Sequence, residues 1–202
     1  MKERSIETIR IDGGCLIFNF INTVNTRVEE DYFEYLSDYQ EFMNWCRKVE
    51  MMEDSEIKLF RKYSQEHPEE AAKALEKLIK TREMLFDFFD HVITDSKPDE
   101  NLIAKFNTVL SGAISHLSID QNLNWSVLIW PDDLTSPLNR ILFSAYEVLW
   151  EKPIERIKKC DACAWLFLDT TKNGKRRYCS PETCGSNEKA KRYYYRKKAE
   201  RK

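Results

Sequence analysis

This sequence predicts a mainly α fold with a small β component, an α+β arrangement in which a helical N-terminal domain precedes a small C-terminal module. Three observations carry that reading. Apolar residues recur at helical three/four spacing in most segments as far as Trp150. Few stretches, such as 124–131, are β-branched and aromatic enough to read as strands. Four of the six cysteines fall into two close pairs, Cys160/Cys163 and Cys179/Cys184, with fifteen residues between the pairs.

The composition sets the bounds. A chain of 202 residues suits one sizeable domain plus an appendage. At this length about 70% of the unfolded surface is buried, so a core forms without covalent staples. No run of about 18 apolar residues is present, which argues against a membrane-spanning helix. The opening MKERSIETIRIDGG lacks an apolar signal region, so a cytoplasmic protein is expected, with thiols that are free or metal-bound and not oxidised in pairs. The net charge of −2 hides a split. Residues 158–202 hold fourteen Lys/Arg and five Asp/Glu, while the remainder holds 18 basic and 29 acidic residues. A basic tail on an acidic body points to a polyanionic partner for the tail, or to mutual attraction of the two parts.

Taken in order, residues 1–14 read as extended, with a short strand ending at Ile11 and a turn at Asp12-Gly13-Gly14. Residues 15–27 read as a buried helix bearing a polar stripe of Asn19, Asn22 and Thr26, although a strand running into a helix fits nearly as well. The stripe either caps neighbouring backbone or lines a ligand site. Ser37 and Gln40 form a capping-box pattern that opens a helix through Phe42, Trp45, Cys46 and Val49. Cys15 and Cys46 read as core thiols. A helix over about 55–66 follows, then a long one from Pro68 to about Ile93, then one over about 99–115. Residues 124–131 suggest a strand paired with the N-terminal one. Ser136-Pro137 suggests the start of a helix that Pro153 ends. His67, His91 and His116 are scattered, one per element, and read as caps or surface residues.

The two cysteine pairs can close a tetrahedral four-sulfur shell around one soft cation, with zinc first and an iron–sulfur cluster second; a pair of redox disulfides is the competing reading. Between them, Leu166–Leu168 suits a strand, Asn173-Gly174 a tight turn, and Lys175–Tyr178 the return. A hairpin linking the pairs, followed by a helix opening at Ser180-Pro181 and carrying Cys184, gives a treble-clef-like arrangement. Four thiolates leave no open position, so the expected Zn2+ is structural, with ligands Cys160, Cys163, Cys179 and Cys184. The short spacer before Cys160 implies a module packed on the body. The terminal helix carries Lys189, Lys191, Arg192, Arg196, Lys197, Lys198, Arg201 and Lys202 around Tyr193-Tyr194-Tyr195. Lys189, Arg192 and Arg196 share one stripe, and Ala190 and Tyr194 are expected to face the body or the hairpin. Together with Lys175, Arg176 and Arg177, these cations make the candidate nucleic-acid surface, with a solvated charge face as the alternative.

The stretch CDACAWLFLDTTKNGKRRYCSPETCGSNEKAKRYYYRK resembles the CGNR zinc finger, through Cys160, Cys163, Phe167, Asp169, Arg176, Arg177, Cys179, Cys184, Gly185, Lys189 and Arg192. Residues 16–27 are similar to the ABATE domain that accompanies that finger. The resemblance implies an ABATE-like domain over 1–157, a finger over 158–202, and a stress-induced transcription regulator whose helical domain senses a ligand. On this reading Asn19, Asn22 and Arg27 are candidates for a ligand site. Ser186-Asn187 stands where the signature has Asn-Arg, Tyr178 replaces the usual Trp, and Asn19 replaces an Asp.

A DNA-binding regulator is therefore the leading expectation. An RNA-binding module, with the tyrosines stacking on bases, and a protein-interaction module are the alternatives. A small-molecule ligand in the helical domain and a homodimer are left open, and no membrane partner is expected. An enzyme is disfavoured because no nucleophile–base pair, phosphate-cradling glycine loop or open metal shell is evident.

Overall fold

A computed structural model describes residues 4–28, 31–94 and 96–200. Seven helices and four short strands are found among them: α1 (Leu16–Ile21), α2 (Tyr39–Lys48), α3 (Asp54–Glu66), α4 (Pro68–Ile93), α5 (Glu100–Ile114), β1 (Leu117–Ile119), β2 (Trp125–Val127), α6 (Leu138–Glu151), β3 (Ile157–Lys159), β4 (Leu166–Leu168) and α7 (Ser186–Ala199). Arg201 and Lys202 lie outside the described residues. Among the described residues, no helix is long and apolar enough to cross a membrane.

The short α1 is the centre of the core. Ile17, Phe18, Phe20 and Ile21, four of its six residues, are fully buried. It packs against α4, α6 and β4. Phe18 meets Phe89 of α4 edge-on at 5.0 Å, and Phe20 lies 5.6 Å from Trp45 of α2. A helix this short is marginal in water, so its neighbours hold it in place. The chain enters α1 through Gly13 and Gly14. A Cβ on Gly13 would come within 2.6 Å of the Asn19 backbone nitrogen, and Gly14 has φ +76°, so this sequence needs glycine at both positions.

Several expectations are corrected. No strand ends at Ile11: residues 5–8 form a turn in which the N–H groups of Thr8 and Ile9 both donate to the Ser5 carbonyl, burying Ile6 and Ile9. β2 therefore pairs with β1, in the register Leu117↔Val127 and Ile119↔Trp125. The local partner wins because closing a short loop costs less entropy than reaching the N-terminus, and Asp120 pins the turn by accepting from the N–H groups of Asn122 and Asn124. Asp38, not Ser37, caps α2, accepting from Glu41 N–H at 2.9 Å. Ser136 caps no helix either: its hydroxyl accepts from and donates to the Trp130 backbone, and α6 starts at Leu138.

The C-terminal module also differs from expectation in one link. β4 pairs antiparallel with β3, in the register Ile157↔Leu168 and Lys159↔Leu166, so the hairpin encloses the first cysteine pair and does not join the two pairs. Lys175–Tyr178 forms no strand: Arg176 N–H donates to Asp169 Oδ2 at 2.9 Å, and Arg177 O accepts from Asp161 N–H of the knuckle at 3.0 Å. All three residues of β4 are buried. Leu166 and Leu168 enter the core of the helical body, while Phe167, with Trp165, joins the sulfur cluster on the other face. Strand alternation thus splits one short segment between two cores.

Candidate metal centre and basic helix

The four cysteine sulfurs converge from two turns. After β3, Cys160 N–H donates to Trp165 O at 2.8 Å and Ala164 N–H to Cys160 O at 2.9 Å; Ala164 takes the left-handed conformation (φ 57°) that turns the chain back into β4. This knuckle delivers Cys160 and Cys163. Further on, the Ser180 hydroxyl accepts from Thr183 N–H at 3.3 Å, and Pro181–Gly185 forms a wide π-helical turn that brings Cys184 beside Cys179 before α7 begins.

All four thiols are buried, and their sulfurs lie within 4.8 Å of one another. Three of the separations, Cys163–Cys179, Cys179–Cys184 and Cys163–Cys184, are each 3.7 Å. A tetrahedron with zinc–sulfur bonds of about 2.3 Å has edges of about 3.8 Å, so the cage fits one zinc ion. It is too wide for disulfides, whose sulfurs sit about 2.05 Å apart, and too small for a multi-iron cluster. The residues present therefore fit a structural Zn2+ held by Cys160, Cys163, Cys179 and Cys184. Bound there, the ion supplies folding energy to a module with little core of its own.

Groups around the sulfurs fix the cage. Trp165 Nε1–H donates to Val24 O at 2.9 Å. Arg176 stacks over Phe167 at 5.0 Å and donates to Cys179 O. Asp169, 1% exposed, accepts from the Thr171 hydroxyl (2.6 Å), Thr171 N–H (3.0 Å) and Arg176 N–H (2.9 Å). Burial alone would raise its pKa, but these hydrogen bonds and nearby Lys158 more than offset that and hold it at about 2. Arg10 reaches Cys184 Sγ with both terminal nitrogens, at 3.6 and 3.7 Å. Burial opposes its charge, yet the hydrogen bond to Cys184 and the fields of Cys179 and Cys184 leave its pKa raised.

The module is fastened along the segment that leads into and out of α1. Leu168 N–H donates to Gly13 O, Asn22 pairs with both backbone groups of Leu166, and Arg27 N–H and the Thr26 hydroxyl donate to Cys163 O. This gives the polar stripe a structural use. Asn19 accepts from Gly13 N–H at 2.9 Å. Arg27 stacks on Phe86 at 4.2 Å, pairs with Glu83 and donates to Ile21 O at 2.6 Å. Burial lowers the Arg27 pKa, and Glu83 opposes that. All three candidate ligand residues are thus engaged by protein groups, and a ligand binding them would have to displace these bonds.

The sequence reading missed the charged network that adjoins them. Arg82, wholly buried on α4, forks onto Glu34 at 2.8 and 2.6 Å, donates from Nε to Glu83 at 2.7 Å and reaches the Thr23 hydroxyl at 2.9 Å. Burial acts against both charges, but the pairing raises the Arg82 pKa and lowers that of Glu34. The available signal was position: Arg82 lies on the same helical stripe as buried Leu78 and Leu85.

α7 has no buried residue. Ala190 faces the body across a groove, as expected, whereas Tyr194 is 61% exposed and meets neither the body nor the hairpin, which corrects that half of the expectation. Lys189, Arg192 and Arg196 share one open face of α7 with Tyr193. Asn187, Ala190 and Lys191 lie on another face and line a groove of about 580 Å³ against Asn25, Val28 and Asp31. Lys191 pairs with Glu188, and Arg196 and Lys197 reach Glu200. Lys198 and Lys175 are exposed and carry no ion pair among the described residues. Arg177 is bound to Asp161 at 2.6 Å, and Arg176 is turned inward as described.

Residues 156–197 match the CGNR zinc finger model, and residues 14–152 match the ABATE family model, described as "putative stress-induced transcription regulator". No curated protein matches the chain. With more than half of its length matched by the ABATE model and the four-sulfur cage inside the finger match, the chain belongs to the ABATE family and carries a CGNR zinc finger.

Proposed function

We propose that this protein is a DNA-binding transcription regulator in which the zinc centre holds α7 against a polyanion. The observation that supports it best is the state of α7: fourteen residues, none buried, with Lys189, Arg192 and Lys198 in no ion pair among the described residues and Lys191, Arg196 and Lys197 held only by surface pairs near the helix itself. A helix that is polar on every side has no packing partner within its own chain. Zinc and the Ser180 cap would fix the Pro181–Gly185 turn that leads into α7, so the cations would be presented in one orientation. Arg192, Lys189 and Arg196 would make the leading phosphate contacts, with Lys175, Lys197 and Lys198 flanking them. Arg176 and Arg177 would contribute charge more than direct contacts, since both are already bound.

The exposed tyrosines favour a second reading, RNA. Tyr193, Tyr194 and Tyr195 are 57%, 61% and 63% exposed, and such rings stack on unpaired bases. Titration of the zinc-loaded chain against duplex DNA, single-stranded RNA and an unrelated polyanion across a salt series separates the readings. Duplex preference with affinity falling steeply in salt is expected. Equal affinity for all three polymers, or no binding, overturns the DNA reading, and single-strand preference replaces it with the RNA one. A ligand that tunes binding would act most directly in the groove between α7 and Asn25, Thr26, Val28 and Asp31. Thermal-shift screening with small metabolites, repeated on an Asn187→Trp variant that fills the groove, tests that part.

A further inference from the structure

Four thiolates around a divalent cation leave a net charge of −2 in a nearly buried cage. Such a charge needs hydrogen-bond donors and cations in the next layer, and these set both metal affinity and sulfur reactivity. Much of that layer lies inside the finger. Arg10 does not: it comes from 174 residues earlier in the chain, in the segment that leads into α1.

Its placement is specific. Both terminal nitrogens face Cys184 Sγ, at 3.6 and 3.7 Å, as donors from a cation to a thiolate. The guanidinium carbon lies 4.6 Å from the centre of the Trp165 ring. Asp12 Oδ2 pairs with Nη1 at 3.2 Å, and the same nitrogen donates to the Thr183 hydroxyl. A ring, a carboxylate and a hydroxyl thus orient the fork toward one sulfur. Arg10, Cys163 and Cys184 also line the same groove beside α7, so a reagent in that groove meets Arg10 beside those sulfurs.

We propose that Arg10 is an outer-sphere, positioning part of the metal centre: a cation delivered by the helical body that hydrogen-bonds the Cys184 thiolate, lowers its reactivity toward electrophiles and slows the loss of zinc. It follows that zinc retention depends on the docking of the body's first segment, because withdrawing residues 5–12 withdraws the cation. A merely structural Arg10, packed on Trp165, would make no such distinction among the four sulfurs.

The test uses the zinc-loaded full chain and the variants Arg10→Met, which keeps the packing volume on Trp165, and Arg10→Lys, which keeps the charge but not the fork. Zinc transfer to a chromogenic chelator, site-resolved alkylation by iodoacetamide and the sulfur-to-metal charge-transfer band of the cobalt-substituted protein are compared. In Arg10→Met, zinc affinity should fall about 10- to 100-fold, the cost of losing an outer-shell partner. Cys184 should become the first sulfur alkylated, the charge-transfer band should shift, and Arg10→Lys should lie between Met and wild type. Release and alkylation within twofold of wild type in a folded Arg10→Met overturn the proposal, as does equal acceleration at all four cysteines, which would mark general loosening. If Arg10→Met fails to fold, Arg10→Lys decides: a shifted cobalt band supports the proposal, and an unchanged one overturns it.

Discussion

The Asn22 side chain pairs with both backbone groups of Leu166, its Nδ2 donating to Leu166 O at 2.7 Å and its Oδ1 accepting from Leu166 N–H at 3.2 Å. One amide at the end of α1 thereby acts as a strand partner for β4 and joins the helical body to the finger. Asn22→Ala would leave a buried donor and a buried acceptor unpaired. At roughly 1–3 kcal/mol for each stranded group, offset by local relaxation and water entry, a loss of about 2–4 kcal/mol is expected. Urea unfolding at fixed zinc concentration measures it, with the zinc-release rate rising in parallel. An unchanged midpoint would mean that Asn22 carries no load at this junction.

How much of this was legible in the sequence follows from the range of each interaction. The long α4 and the extent of α5 were readable because apolar periodicity acts within a few residues. The sulfur cage was readable because two tight turns fix each cysteine pair locally. The partner of β2 was misread because strand patterning gives no pairing address. Asn22 showed its polarity in sequence, but its acceptor lies 144 residues away, so a ligand site and a backbone pairing looked alike. Arg82 is a charge on an apolar stripe, a signal visible only when polar exceptions are sought as carefully as apolar regularities.

Arg82 should be among the most sensitive positions in the body. Arg82→Met removes the cation that Glu34 and Glu83 face, and breaking a buried pair from one side costs about 3–5 kcal/mol. Glu34→Gln should cost less and should also change the pH dependence. The folded pKa of Glu34 lies below its unfolded value, so its contribution to stability is present above an unfolded pKa of about 4.3 and is lost as pH falls through the lower folded one. The difference in unfolding free energy between wild type and Glu34→Gln should therefore shrink as pH falls through that window. Acid effects on the zinc site enter both proteins and cancel in the difference. A gap that stays constant with pH would contradict the assignment.

Zinc removal should be felt beyond the finger. Ile157, Leu166 and Leu168 belong to the core that holds α1, α4 and α6. Chelation, or Cys179→Ser, should abolish the β3–β4 knuckle and free α7 while α2 to α6 stay helical. Because the displaced strand uncovers α1, the melting temperature of the remaining body should also fall, by several degrees for each kcal/mol lost. Far-UV circular dichroism with and without chelator checks both parts. A body that melts at the same temperature would show that β4 only rests on α1.

The outward stripe of α7 makes the nucleic-acid reading quantitative. Lys189, Arg192 and Arg196 share one open face, while Lys191 lies on the groove side and is paired with Glu188. If the three cations of the stripe each neutralise one phosphate, changing all three to Ala should lower the magnitude of the slope of log K against log salt by nearly 3, at about 0.9 per contact on duplex DNA. Lys191→Ala should change it much less, because releasing Lys191 from Glu188 offsets part of any phosphate contact. The comparison separates directed contact from bulk attraction. A tail held only by its net charge would lose slope equally at any lysine, whereas a helix fixed by zinc in one orientation loses it on one face. Equal slopes for the Lys191 variant and for Lys189→Ala would place α7 among solvated charge faces and remove the orientation argument for DNA binding.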